Sequence, residues 1–197
     1  HNLVGGDQFF MTNLDIEDNP KYYSHWLFQW AFAATATTIV SGAAAERCQF
    51  RAYIIYTTVI TGIVYPIVVH MVWSDDGWLS ITRSERTFPK SLGLIDYAGS
   101  SVVHVTGGGA ALVAATLLGP RAERFELDGK VREFSSHSMG LSMLGTFILW
   151  FGWYAFNPVS GLRVRGCMVT ASLAAVNTTL AAASGGVTRS EEHTSEL

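Results

Sequence analysis

The sequence predicts an all-α membrane protein, and three observations carry that prediction. Only 15% of its 197 residues are charged, against about 25% in soluble domains. Five stretches of mostly apolar residues recur along it, each near the roughly 20 residues that cross a hydrocarbon core about 30 Å thick. The charged residues gather between those stretches and not along one face of each. In lipid a helix satisfies all its own backbone groups, which an open sheet cannot do.

The first predicted span covers about 26–46, from Trp26 to the Ala-rich run that Glu46 and Arg47 close. The second covers about 52–73. Between Ile54 and Val69 it is apolar all round, relieved only by Thr57, Thr58, Thr61 and Gly62, whereas a soluble helix keeps a polar face. The third covers about 97–119 and ends at Gly119-Pro120, a helix stop. The fourth covers about 137–157, where Asn157-Pro158 should break it. The fifth covers about 166–188. The third span carries a stripe of small residues, Gly107, Ala111 and Ala115, which lets another helix approach closely.

The connections are polar. Residues 74–95 hold Asp75, Asp76, Arg83, Glu85, Arg86 and Lys90, and residues 120–135 a run of mixed charge from Arg121 to Glu133. Basic residues divide evenly between the two sides of the predicted bundle, so the positive-inside rule does not orient it. The net charge of −3 and the lack of a basic face argue against a nucleic-acid partner. Cys48 and Cys167 are too few and too far apart for a disulfide framework or a metal site, and read as small apolar residues. The chain opens at His1 without a Met, as a piece that starts inside a longer protein would. Residues 1–25 read as a connection before the first span. Residues 189–197, Arg189 to Leu197, resemble the conceptual translation of a sequencing adapter and are set aside from the fold.

Polar groups inside spans are expensive and are therefore functional candidates. Asp96 precedes the third span, where an acid caps a helix and suits its dipole; a cap there could also fix the geometry of a cation path. His104 follows eight residues later. A neutral imidazole both donates and accepts, so it could relay a proton, or simply pack. No Cys, Asp or Glu shares its depth, which argues against a metal site. Phe28 and Phe32 lie four apart on one helix face. Trp73 ends the second span, while Trp153, Phe156 and Ser160 lie at the end of the fourth. If spans alternate in direction, these residues share one side. They suit either an aromatic belt at the interface or a cation-binding mouth, and pattern alone does not choose. His70 and His137 sit at span ends, where an interfacial place suffices.

Five strings resemble the ammonium transporter/methylammonium permease/Rhesus (Amt/Mep/Rh) family: FQWAFAATATTIVSGAAAER (28–47), YPIVVHMVWSDDGWLS (65–80), DYAGSSVVHVTGG (96–108), LGTFILWFGWYAFNP (144–158) and VNTTLAAASGG (176–186). They fall in order over nearly all of residues 20–188, and the 74–95 loop and the Phe-Gln-Trp-Ala-Phe start look most like plant and algal Amt-type members. The resemblance implies a fragment, spans three to seven, of an eleven-span fold with inverted repeats. It also implies a homotrimer in the plasma membrane that takes ammonium, with methylammonium as analogue, and needs no cofactor.

The resemblance assigns Phe28, Trp73 and Ser160 to an outer ammonium-recruitment site. It makes Phe32 and Phe156 a phenyl gate beneath that site, Trp153 a pore-wall aromatic, His104 the first of two pore histidines, and Asp96 a buried acid that shapes the mouth. It departs at Val159, where Gly is usual, and at Ser101, Thr106 and Ala155. The implied function is ammonium transport. The mouth recruits the ion, which is deprotonated below it; ammonia then crosses an apolar lumen while histidines relay the proton. No covalent chemistry is implied, so no enzyme. The alternatives are an ammonium sensor or transceptor and a fragment without function of its own.

Overall fold

In the computed structural model the described residues are 5, 11–12, 20–83, 93–126, 128–135, 137–163 and 165–194, with side chains to residue 188. Most of the connection expected over residues 1–25 lies outside them, as do Glu85, Arg86 and Lys90 of the second connection and the last three residues of the tail. The chain is all-helical among the described residues, with two isolated β-bridges and no strand. Five helices follow one another: α1 Lys21–Ala44, α2 Phe50–Trp73, α3 Ser100–Leu118, α4 Met139–Val159 and α5 Met168–Thr194. Three of them, α2, α3 and α4, are long and apolar enough to cross a membrane. The chain forms two compact units, His1–Glu133 and Phe134–Leu197.

In the first unit, α1 begins five residues before the predicted span, at Lys21. The apolar count that located the span misses the polar first turn, which the helix adds without any side-chain cap. Its buried face is Phe32, Ala36, Thr37, Val40 and Ala44, at helical spacing. The threonines do not spoil the helix because their hydroxyls bond to its own carbonyls: Thr35 Oγ1 donates to Ala31 O at 2.8 Å and Thr37 Oγ1 to Ala33 O at 3.0 Å.

Helix α2 is not uniform. Between Phe50–Val59 and Tyr65–Trp73 it widens into a π-turn, Ile60–Val64, closed by Tyr65 N–H donating to Ile60 O. Pro66 follows directly; it lacks an N–H and its ring crowds the carbonyl four residues back, which the extra residue in the turn relieves. Helix α3 packs along α1 at Gly107, where a Cβ would come within 2.6 Å of Ala36 O and 2.9 Å of the Ile39 side chain. Gly107 of the predicted small-residue stripe therefore makes a close approach, while Gly108 and Gly109 face open space. At the far end of the pair Arg47 donates to Gly119 O at 3.1 Å, and Arg121 pairs with Glu46. In the loop after α3, Lys130 bonds Asp128 at 2.7 Å and holds its carboxyl below the usual range.

The second unit is the pair α4 and α5. Ser138 caps α4 by accepting from Leu141 N–H at 3.3 Å. The predicted break at Asn157-Pro158 does not occur there: α4 runs through Pro158 to Val159. The proline removes one backbone donor in the last turn, and Ser160 N–H reaching Asn157 O at 3.2 Å ends the helix just beyond. No residue of α4 is buried within the chain, as expected of a helix whose apolar surface meets lipid or further helices. Helix α5 continues to Thr194, so the backbone of residues 189–194, set aside above, is helical.

Candidate functional site

Polar and aromatic groups converge in the first unit where α1 begins, α2 ends and α3 begins. The i, i+4 spacing of Phe28 and Phe32 brings their rings to 4.3 Å between centroids. Phe32 is buried, with Phe28 half-buried beside it, and Trp73 and Phe32 form a T-shaped pair at 5.8 Å. Aromatic pairs favour this offset and edge geometry. Alternation of the first three spans thus brings Phe28, Phe32 and Trp73 together.

Trp73 is held from below. Its indole Nε1–H donates to the backbone carbonyl of Asp96 at 2.8 Å. The Asp96 carboxylate accepts from four successive backbone N–H groups: Gly99 at 2.6 Å, Ser100 at 2.9 Å, Ser101 at 2.9 Å and Val102 at 2.8 Å. Each oxygen accepts two of these N–H groups, which are among the orphan donors that open every helix. Asp96 therefore caps α3, but not from the N-cap position the sequence suggests. Residues 97–99 form a bend, the helix starts at Ser100, and Gly99 occupies the N-cap with φ +88°. A Cβ at Gly99 would be strained at that φ, and would lie 2.6 Å from Val103 Cγ2 and 3.5 Å from the Phe32 ring. One residue thus joins two parts of the site: its side chain starts α3 and its carbonyl orients Trp73.

His104 lies in the first turn of α3, a π-turn, Ser100–Val105, and nearer the helix start than a span beginning at residue 97 would place it, because the helix begins at Ser100. Both Val103 N–H and His104 N–H reach Gly99 O, and Thr106 closes the turn with its hydroxyl on Ser101 O at 3.3 Å. The His104 ring places Nδ1 3.0 Å from the same Gly99 carbonyl. A carbonyl only accepts, so Nδ1 is the donor and a neutral ring then has Nε2 as its acceptor. His104 lies on an exposed face of the chain. This bond fixes the tautomer of the neutral ring.

Trp153, Phe156 and Ser160 belong to the second unit, at the end of α4, and all three are half-buried. The Ser160 hydroxyl donates to Phe156 O at 2.7 Å, which leaves the oxygen's lone pairs as its acceptor function. Sequence reasoning missed the Trp73–Asp96 bond, because it uses a backbone carbonyl. It also missed Tyr154, Asn157, Thr178 and Thr179, which bond across α4 and α5. A signal existed for the last four, since an Asn and paired threonines inside apolar runs need partners.

The Ammonium Transporter Family model matches residues 1–193. The chain is 47% identical over 163 residues to ammonium transporter 1 member 2 of Arabidopsis thaliana, which covers 82% of this chain and 32% of that protein. It is 54% identical over 138 residues to ammonium transporter 1 member 4 of Arabidopsis thaliana, covering 70% and 27% respectively. An ammonium transporter of Archaeoglobus fulgidus is 46% identical over 186 residues, covering 94% of this chain and 37% of its own length. The chain spans about a third of the length of the curated relatives it matches.

Proposed function

The chain belongs to the ammonium transporter family, and on that premise we propose that it forms part of an ammonium pathway through the plasma membrane, within a longer homotrimeric protein. Phe28, Trp73 and Ser160 recruit the ion, Phe32 and Phe156 gate the way below, and Trp153 and His104 line the lumen. An ammonium ion loses too much hydration to enter lipid as a charge. Aromatic faces replace part of that hydration, by about 2 kcal/mol or more at a dry site, and a hydroxyl oxygen accepts from an ammonium N–H. The ion then yields a proton and crosses as ammonia, with His104 passing the proton. Only N–H protons move, so the protein acts as a transporter and not as an enzyme.

The observation that supports this most is the fixed indole. Trp73 lies in T-shaped contact with the Phe32 ring and is held by Asp96 O, an arrangement that fixes the orientation of the indole. Trp73→Leu in the full-length protein should raise the half-saturation concentration for labelled methylammonium about tenfold, the equivalent of about 1.4 kcal/mol of cation–π attraction. Trp73→Phe, which keeps a ring but loses the N–H, should fall between. An unchanged half-saturation in Trp73→Leu would remove the residue from recruitment.

A further inference from the structure

The facing surfaces of α4 and α5 are joined by two hydrogen-bonded chains whose directions follow from counting protons. The Thr179 hydroxyl donates to Ala175 O at 2.9 Å, which spends its single proton. The 2.6 Å contact between Tyr154 Oη and Thr179 Oγ1 must therefore have Tyr154 as donor. The Tyr154 oxygen is then the acceptor for Trp150 Nε1–H at 3.2 Å. One turn further along α4 the pattern repeats. Thr178 donates to Ala174 O at 2.7 Å, and its oxygen accepts from Asn157 Nδ2–H at 2.8 Å. Both chains run from α4 to α5 and end on a backbone carbonyl of α5. Thr178 is 8% exposed, so an Asn157 amide without it would face an apolar surround.

We propose that Asn157 and Thr178, seconded by Tyr154 and Thr179, form a positioning clasp that sets the depth and rotation of the last turn of α4 and so places Phe156 and Ser160 for ammonium. Asn157 follows Phe156 directly and precedes Ser160 by three residues. A slip of α4 against α5 by one residue would move the Ser160 hydroxyl about 1.5 Å along the axis and turn it by about 100°. Apolar contacts between two smooth helices resist such a slip weakly, because lipid tails are as apolar as the helix surface. Two directional chains on neighbouring turns specify one register. The clasp touches no substrate. It rests on the transport reading above, and its effect is on affinity.

The test uses the full-length protein and labelled methylammonium uptake, with the amount at the cell surface measured in parallel. Thr178→Val is isosteric and removes only the hydroxyl. It should raise the half-saturation concentration at least about threefold, the scale of one interhelical hydrogen bond in a membrane, with the maximal rate per surface molecule little changed. Thr178→Ser restores the hydroxyl and should restore the wild-type half-saturation. Asn157→Leu with Thr178→Val should be no worse than Thr178→Val alone, since the lone unpaired amide is gone. Equal losses in the Val and Ser variants would overturn the clasp in favour of plain packing. So would a wild-type half-saturation in Thr178→Val, or losses that multiply in the double variant. A wild-type protein that reaches the surface and takes up no methylammonium would instead overturn the transport reading beneath it.

Discussion

Replacing His104 with Ala in the full-length protein should cut the ammonium-evoked current about a hundredfold, the low end of what a positioned proton-transfer group contributes. One bond prepares the ring for this. Nδ1 donates to Gly99 O, so the neutral ring is fixed as the tautomer whose Nε2 accepts. An acceptor with a fixed orientation can take a proton at Nε2 and give it up again from the same nitrogen while Nδ1 keeps its bond to Gly99 O, which no apolar residue can do. Alanine removes both nitrogens but leaves the π-turn to its backbone bonds, Val103 and His104 N–H on Gly99 O, so insertion should survive. His104→Glu restores a group that carries a proton and should recover part of the current. Voltage-clamped cells read the current, and labelled methylammonium uptake reads transport alongside it. A wild-type current with wild-type pH dependence in His104→Ala would reduce His104 to a packing residue.

The second large effect belongs to Asp96. Asp96→Ala strips the cap from four backbone N–H groups at once and removes a negative charge from a helix N-terminus. A single N-cap removal costs about 1 kcal/mol, up to about 2, and bonds to a charged acceptor are worth more than neutral ones. A loss of at least about 2 kcal/mol follows, read as a lower unfolding midpoint of the purified full-length protein. Because the Asp96 carbonyl also orients Trp73, the half-saturation concentration should rise in the same variant. Asp96→Asn keeps one acceptor oxygen of two and should lie between Ala and wild type on both readouts. A wild-type midpoint in Asp96→Ala would show that water or another group satisfies those donors.

Much of this architecture is legible in the sequence because lipid imposes strong rules. Apolar runs of about 20 residues locate α2, α3 and α4 within a few positions, and a lone acid before a span announces a cap. Phe28 and Phe32 are a pair by helical spacing alone. What the sequence hides is local geometry. A π-turn has no periodicity signature of its own, so neither Ile60–Val64 nor Ser100–Val105 was visible. Pro158 looked like a terminator, yet α4 passes through it, because a proline in the last turn costs a single hydrogen bond that a helix end can do without. The bond from Trp73 to Asp96 O depends on a backbone atom that every residue has. No pattern of side chains points to it.

The most direct test of an ammonium pathway is uptake of labelled methylammonium, against concentration, by cells that lack their own ammonium uptake and display the full-length protein at their surface. The expected result is saturable uptake that ammonium competes away and that Trp73→Leu shifts to higher concentration. Uptake no greater than in cells without the protein, with the protein shown to be at the surface, would contradict it.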